Sequence, residues 1–226
     1  MNNNFNDNTE LNNSETSYTM IKIIVLLVGL QASRIIFKQI AFLFFDNNKF
    51  NDILISMIII FSLTLFLIYK AKKENISLDI FSYMKSKEAK IYYAMVTGCI
   101  VMLIFTSPYF SDNPSTLRLI TLLYSAVMIP IYEEIIFRSY IWNVLKNDNI
   151  DELKIYFITT ALFSLYYTGY IDTIIMNGGF INITWTVFIK CSMMLSYGLF
   201  IGFFRYKIKN SYSCMLIHSF INIFGR

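Results

Sequence analysis

The chain has one histidine, three cysteines and few charges, with Asp, Glu, Lys and Arg together making up 15% of 226 residues. Each scarcity excludes something. Cys99, Cys191 and Cys214 all fall in apolar stretches and form no CxxC pair, which argues against a disulfide framework or zinc ribbon and marks them as small core residues. No HExxH pattern is present, so a metal centre of that type is not expected. No internal repeat is evident, and an inverted-repeat transporter therefore has no support. Residues 1–19 lack the basic n-region and small-residue cleavage site of a secretory signal. Rich in Asn and carrying Asp7, Glu10 and Glu15, they are expected to form a short disordered cytoplasmic tail before a membrane domain over 20–226.

What is abundant is apolar. Hydrophobic residues make up 56% of the chain and mean hydropathy is +0.52, above the usual share of a soluble domain. A spanning helix needs about 20 mostly apolar residues, and several such runs are present. They predict an all-α, polytopic membrane bundle of about seven transmembrane helices, over 20–45, 53–69, 91–107, 117–145, 155–170, 183–204 and 212–224. The stretch NISLDIFSYMKSKEAK between the second and third is amphipathic and is expected on the membrane surface. The fifth segment ends in a loop with Gly169, Asp172, Gly178 and Gly179.

The net charge of +4 sits mostly between the hydrophobic segments, where it sets topology and does not point to nucleic acid. Lys70, Lys72, Lys73, Lys85, Lys87 and Lys90 share one loop. Lys146 and Lys154 lie in a second, and Arg205, Lys207 and Lys209 in a third. The opposite side holds only Lys49 and Arg118. Positive loops inside place the N-terminus in the cytoplasm and the C-terminus outside. The wealth of Asn, Ile, Lys, Phe and Tyr suggests an AT-rich genome, hence a bacterial cell membrane. Arg34, Lys38 and Lys190 lie inside apolar segments and are expected to snorkel, with Arg34 and Lys38 alternatively lining a cavity mouth and Lys190 also able to meet a substrate carboxylate. Trp142 and Trp185 are expected to mark interfaces.

An ionised group deep in a bilayer costs at least ~2.5 kcal/mol on insertion scales. The fourth segment nevertheless holds three in PIYEEIIFRSYIW. Glu134 and Arg138 are four apart with the acid first, the favourable order for a helical ion pair. Glu133 lies about 100° away around the helix and needs another partner. The single histidine, His218, shares a face of the seventh segment with Asn222 at i+4. Helix rise puts His218 about 10 Å and Glu133 about 18 Å from the cytoplasmic ends of their helices, so a common cavity is sterically feasible.

These residues resemble the CPBP family, the CAAX proteases and bacteriocin-processing enzymes also called Abi proteins. The family's first motif, EExxxR, is matched by Glu133, Glu134 and Arg138, flanked by Pro130 and Phe137. Its third, HxxxN, is matched by His218 and Asn222, after the run YGLFIGFFRYKIKNSYSCMLIH. The resemblance covers about 117–224. The second motif, FxxxH, departs: Phe163 is present, but Tyr167 stands where the family has histidine. The resemblance implies an intramembrane glutamate endopeptidase acting on peptide or membrane-protein substrates, with no cofactor. Glu133 would be the general base, Glu134 and Arg138 an orienting ion pair, and His218 and Asn222 oxyanion donors. Tyr167 can orient water but takes up no proton near neutrality, which puts roughly 10²–10⁴-fold of acid–base catalysis at stake. The alternative expectation is a catalytically lapsed member that binds a membrane partner or confers bacteriocin immunity.

Overall fold

Residues 3–82, 86–107, 115–170 and 183–224 are described by the structure, a computed structural model of the chain. Among them there are seven helices and no strands: α1 (Asn3–Ala41), α2 (Lys49–Lys73), α3 (Lys87–Thr106), α4 (Thr116–Asn147), α5 (Glu152–Tyr166), α6 (Ile183–Ile208) and α7 (Ser211–Phe224). Five of them, α1 from Thr16, α2, α3, α4 and α6, are long and apolar enough to cross a membrane. The expected all-α bundle is what the chain forms. The expected loop residues Asp172, Gly178 and Gly179 lie outside the described residues.

Helix ends follow local chemistry. Asn48, Ser86, Ser115 and Asp151 cap α2, α3, α4 and α5 by accepting a backbone N–H with their side chains. Asn210 Oδ1 accepts from the N–H groups of Tyr212 and Ser213 at the start of α7. The basic residues Lys70, Lys72 and Lys73 fill the last turn of α2, where the helix dipole favours them. At the other end of the chain, α1 runs from Asn3 through the span that begins at Thr16. Extending a helix that a membrane span has already nucleated adds one hydrogen bond per residue ordered, a far smaller cost than starting one.

The centre of the bundle is α4. Half of its most apolar window is buried, against 11% for α3 and 17% for α6. Tyr132, Ile136, Phe137, Ile141 and Leu145 of α4 pack with Leu27 and Leu30 of α1, Ile60 and Leu67 of α2, and Ile155 and Phe163 of α5. A second cluster joins Ile100 and Ile104 of α3, Leu122 and Ala126 of α4, and Leu216 and Ile223 of α7. The outward faces of α1, α2, α3 and α6 carry exposed Val25, Ile58, Met102 and Phe188. In lipid these positions need no cover, since acyl chains are as apolar as the side chains.

Four expectations change. Trp142 is not an interface marker: it is 1% exposed beneath the Arg205 guanidinium, whereas Trp185 is exposed. Cys214 is a core residue, but Cys99 is exposed and Cys191 half-buried on outward faces. Arg34 and Lys38 do not snorkel. Both are buried, with Lys38 2.7 Å from Asp52 and Arg34 bonded to Gln31 and Gly169, because a charge inside the bundle is stable only when paired. Finally, residues 76–82 do not lie free on the surface. Asn143 donates to Ser77 O, Ser211 Oγ to Leu78 O, and Arg205 pairs with Asp79 at 3.2 Å. Their backbone groups are satisfied by the ends of α4, α6 and α7, which bind the segment to the bundle.

Candidate active site

Two helical turns of α4 depart from α geometry, and both bear on the site. Tyr124–Met128 and Ile135–Ile141 are π-helical, and between them Ile129–Glu134 carries Pro130. Pro130 has no N–H to give, and the Ile129 N–H reaches back five residues to Tyr124 O. Ser125 O is thereby left without its normal helical donor. Asn222 of α7 supplies one, its Nδ2 donating at 2.7 Å. An orphaned carbonyl in a bilayer must be satisfied by a neighbour, so this bond both relieves the π-turn and locks α7 against α4.

One turn earlier in α7, His218 is 1% exposed and faces the paired glutamates. Its Nδ1 lies 2.8 Å from Glu134 Oε1, and its Nε2 lies 3.9 Å from Glu133 Oε2. Tyr197 of α6 packs edge-on against the imidazole, ring centroids 5.0 Å apart, with its hydroxyl 3.5 Å from Asn222 Oδ1.

Glu133, Glu134 and Arg138 are all fully buried. The divergence of adjacent helical positions is visible in their partners. Glu134 Oε2 stands 3.4 Å from Arg138 Nε, an ion-pair distance without hydrogen-bond geometry. Arg138 Nη2 donates to Gly198 O at 3.2 Å, and the guanidinium lies 4.4 Å over the Phe163 ring. Glu133 instead accepts from the Tyr167 hydroxyl on Oε2 at 2.9 Å, while its Oε1 is buried without a hydrogen-bond partner among the described residues. Tyr167 begins the 3₁₀ turn Tyr167–Tyr170 that follows α5, and its ring packs on Phe163. Phe163 in turn meets Phe137 edge-on, the aromatic beside the first motif.

Five of the six sequence-predicted positions thus meet, Glu133, Glu134 and Arg138 from α4, Tyr167 from the end of α5 and His218 from α7, whereas the Asn222 side chain is turned to Ser125 O. No group of three or more His, Cys, Asp or Glu side chains is placed to hold a metal ion among the described residues. Lys190 is half-buried, its Nζ 5.7 Å from the centre of the Tyr167 ring.

Several participants were not singled out beforehand. Gly198 and Gly202 let α6 approach α5 closely: a Cβ on Gly198 would sit 3.0 Å from Phe163 Cδ1, and one on Gly202 would sit 2.8 Å from Tyr156 Cε2. Their four-residue spacing was the available signal, since small residues so spaced allow membrane helices to approach. Ser125 and Tyr197 carried no local signal, and Arg205, expected in a basic loop, is instead buried within α6, where its Nε donates to Arg138 O at 2.7 Å.

No curated protein and no solved structure matches the chain. Residues 114–224 match the family model described as type II CAAX prenyl endopeptidase Rce1-like. That segment holds every residue of the glutamate–arginine–histidine cluster and the tyrosine bonded to it. Over residues 114–224 this multi-pass membrane protein therefore carries an Rce1-like CAAX endopeptidase domain of the CPBP family.

Proposed function

We propose that the protein is an intramembrane endopeptidase of the CPBP type, hydrolysing peptide bonds of peptide or membrane-protein substrates with water activated by Glu133. The observation that carries this is the state of the Glu133 carboxylate. It is fully buried, held by one hydrogen bond from Tyr167, and has a second oxygen, Oε1, without a hydrogen-bond partner among the described residues. A buried acceptor of this kind is costly unless it serves a purpose.

The chemistry follows from the neighbours. Glu133 takes a proton from water as the oxygen attacks the scissile carbonyl carbon. The same proton then passes to the leaving amine as the C–N bond breaks, giving a carboxylic acid and an amine, and the acid's remaining proton moves to the amine to leave a carboxylate and an ammonium. The oxyanion needs donors. If His218 Nδ1–H donates to Glu134, Nε2 can donate only in the imidazolium form. That form balances the cluster, two carboxylates against Arg138 and His218. Asn222 has committed one amide hydrogen to Ser125 O and keeps the other. Arg138 holds Glu134, and Glu134 holds the imidazole.

A specific observation also favours a second function, a non-catalytic membrane binding, regulatory or bacteriocin-immunity role. The Tyr167 hydroxyl lies on the Glu133 oxygen that faces His218 Nε2, where an activated water would be sought. In either case the basic loops favour a cytoplasmic N-terminus, and composition favours a bacterial cell membrane.

Purified protein in liposomes, assayed against a peptide library beside Glu133→Ala and Tyr167→His, separates the two. Cleavage that is lost in Glu133→Ala establishes the peptidase. A parent without cleavage, and a gain in Tyr167→His, establishes the lapsed enzyme.

A further inference from the structure

The helix α1 lies outside the family-matched segment, yet two of its polar side chains reach the second motif. Gln31 and Arg34 are 8% and 4% exposed. Gln31 Nε2 donates to Tyr166 O at 3.0 Å, and Arg34 Nη2 donates to Gly169 O at 2.8 Å. Arg34 Nε donates to Gln31 Oε1 at 2.9 Å, which joins the two into one unit. The guanidinium also lies 4.3 Å over the Tyr170 ring. The last carbonyls of a helix have no donors of their own. Here those at the end of α5 are filled from another helix, on both sides of Tyr167.

Gly169 shows how close this approach is. A Cβ there would stand 2.6 Å from Gln31 Cδ and 2.9 Å from Gln31 Nε2. The turn Tyr167–Tyr170 is thus gripped by α1 through its backbone, while the side chain of Tyr167 extends to Glu133. Without the grip, a one-turn 3₁₀ segment at a helix end is free to fray.

We propose that Gln31 and Arg34 are positioning residues, holding the second-motif turn so that the Tyr167 hydroxyl stays on Glu133. The consequence for hydrolysis rests on Glu133 being the water-activating base; the placement of Tyr167 does not. A displacement of about 1 Å would take a 2.9 Å hydrogen bond beyond its range. At a reacting centre it can cost on the order of 10²-fold in rate.

The test reads the contact directly. 3-Fluorotyrosine is installed at position 167 of the full chain in lipid nanodiscs, and its fluorine resonance is compared with that in a Glu133→Ala background. Arg34→Met and Gln31→Leu are expected to move the resonance toward the Glu133→Ala position, and Arg34→Lys to move it less. Gly169→Ala keeps both polar side chains but pushes Gln31 aside, and the same shift is expected. Resonances that stay at the parent position in Arg34→Met and Gly169→Ala overturn the proposal. Peptide cleavage is followed in parallel, with a loss in kcat and not in KM expected. A parent that cleaves nothing refutes the peptidase and leaves the resonance result standing.

Discussion

The hydroxyl of Tyr167 donates to Glu133 Oε2 at 2.9 Å, and that same oxygen is 3.9 Å from His218 Nε2. The tyrosine therefore occupies the flank of the carboxylate that faces the imidazole. Removing the hydroxyl in Tyr167→Phe leaves a buried carboxylate without a hydrogen-bond donor among the described residues, at a cost of about 1–3 kcal/mol. Thermal unfolding in detergent should show a lower midpoint for Tyr167→Phe. In Tyr167→His the midpoint should recover toward the parent while peptide cleavage rises.

Arg138 is the only Arg or Lys within salt-bridge distance of Glu134 among the described residues, and it is completely buried. Arg138→Met should destabilise the protein by about 3–5 kcal/mol, the usual cost of leaving a buried charge unpaired. Arg138→Lys should not restore it, since an ammonium cannot reach Glu134, Gly198 O and the Phe163 face together. Both follow from denaturation midpoints measured in one detergent.

The contact between Asn222 and Ser125 has a structural signature separable from catalysis. Asn222→Leu removes the donor that the π-turn before Pro130 requires. A loss of about 1–3 kcal/mol is expected. Hydrogen exchange at Leu123–Met128 should accelerate more than exchange in α2. Equal protection in parent and variant would show that Ser125 O finds its donor elsewhere.

Gly198 should tolerate no side chain. A Cβ there meets Phe163 Cδ1 at 3.0 Å, Thr160 Cγ2 at 3.2 Å and Arg138 Nη2 at 3.5 Å. Of these, the first two belong to a packed helix that cannot step aside alone. Gly198→Ala should cost about 1–3 kcal/mol, whereas Gly98→Ala, which meets nothing within 4 Å, should be neutral or stabilising. Unfolding of the two variants side by side checks the difference.

Outside the spans, Glu74 should shape the acid limb of stability. Burial would raise its carboxyl, but hydrogen bonds from Lys70 and Tyr140 and the charges of Lys70 and Lys22 outweigh it and hold the group below the usual glutamate value. A depressed carboxyl contributes stability above its unfolded value and loses it as pH falls through the folded one. The midpoint of Glu74→Gln should therefore change less than the parent's on acidification below pH ~4.3. The effect is small, because the side chain is 39% exposed.

The spans and the chemistry-bearing positions were legible because each leaves a local trace. Apolar runs of spanning length announce helices whatever packs against them. Glu133, Glu134, Arg138 and His218 are conspicuous because a charge in such a run is costly enough to require a reason. Even the divergence of Glu133 from the Glu134–Arg138 pair follows from the 100° step between neighbours, and the structure bears it out.

Trp142, Arg34 and Lys38 were misplaced for one physical reason. An aromatic or basic residue near a helix end suits the interface equally well as it suits a buried contact, and only its partner decides. Arg34 needed the carbonyl of Gly169, 135 residues away, and Trp142 needed Arg205. The same holds for Asn222, whose partner exists only because a π-turn and Pro130 together strip Ser125 O of its donor. By itself, then, the sequence determined that this is a membrane bundle and which polar groups it could not leave alone. The tertiary structure decided which of them meet, because hydrogen bonds and ion pairs across a bilayer depend on the register of helices distant in sequence, and local periodicity does not specify that register.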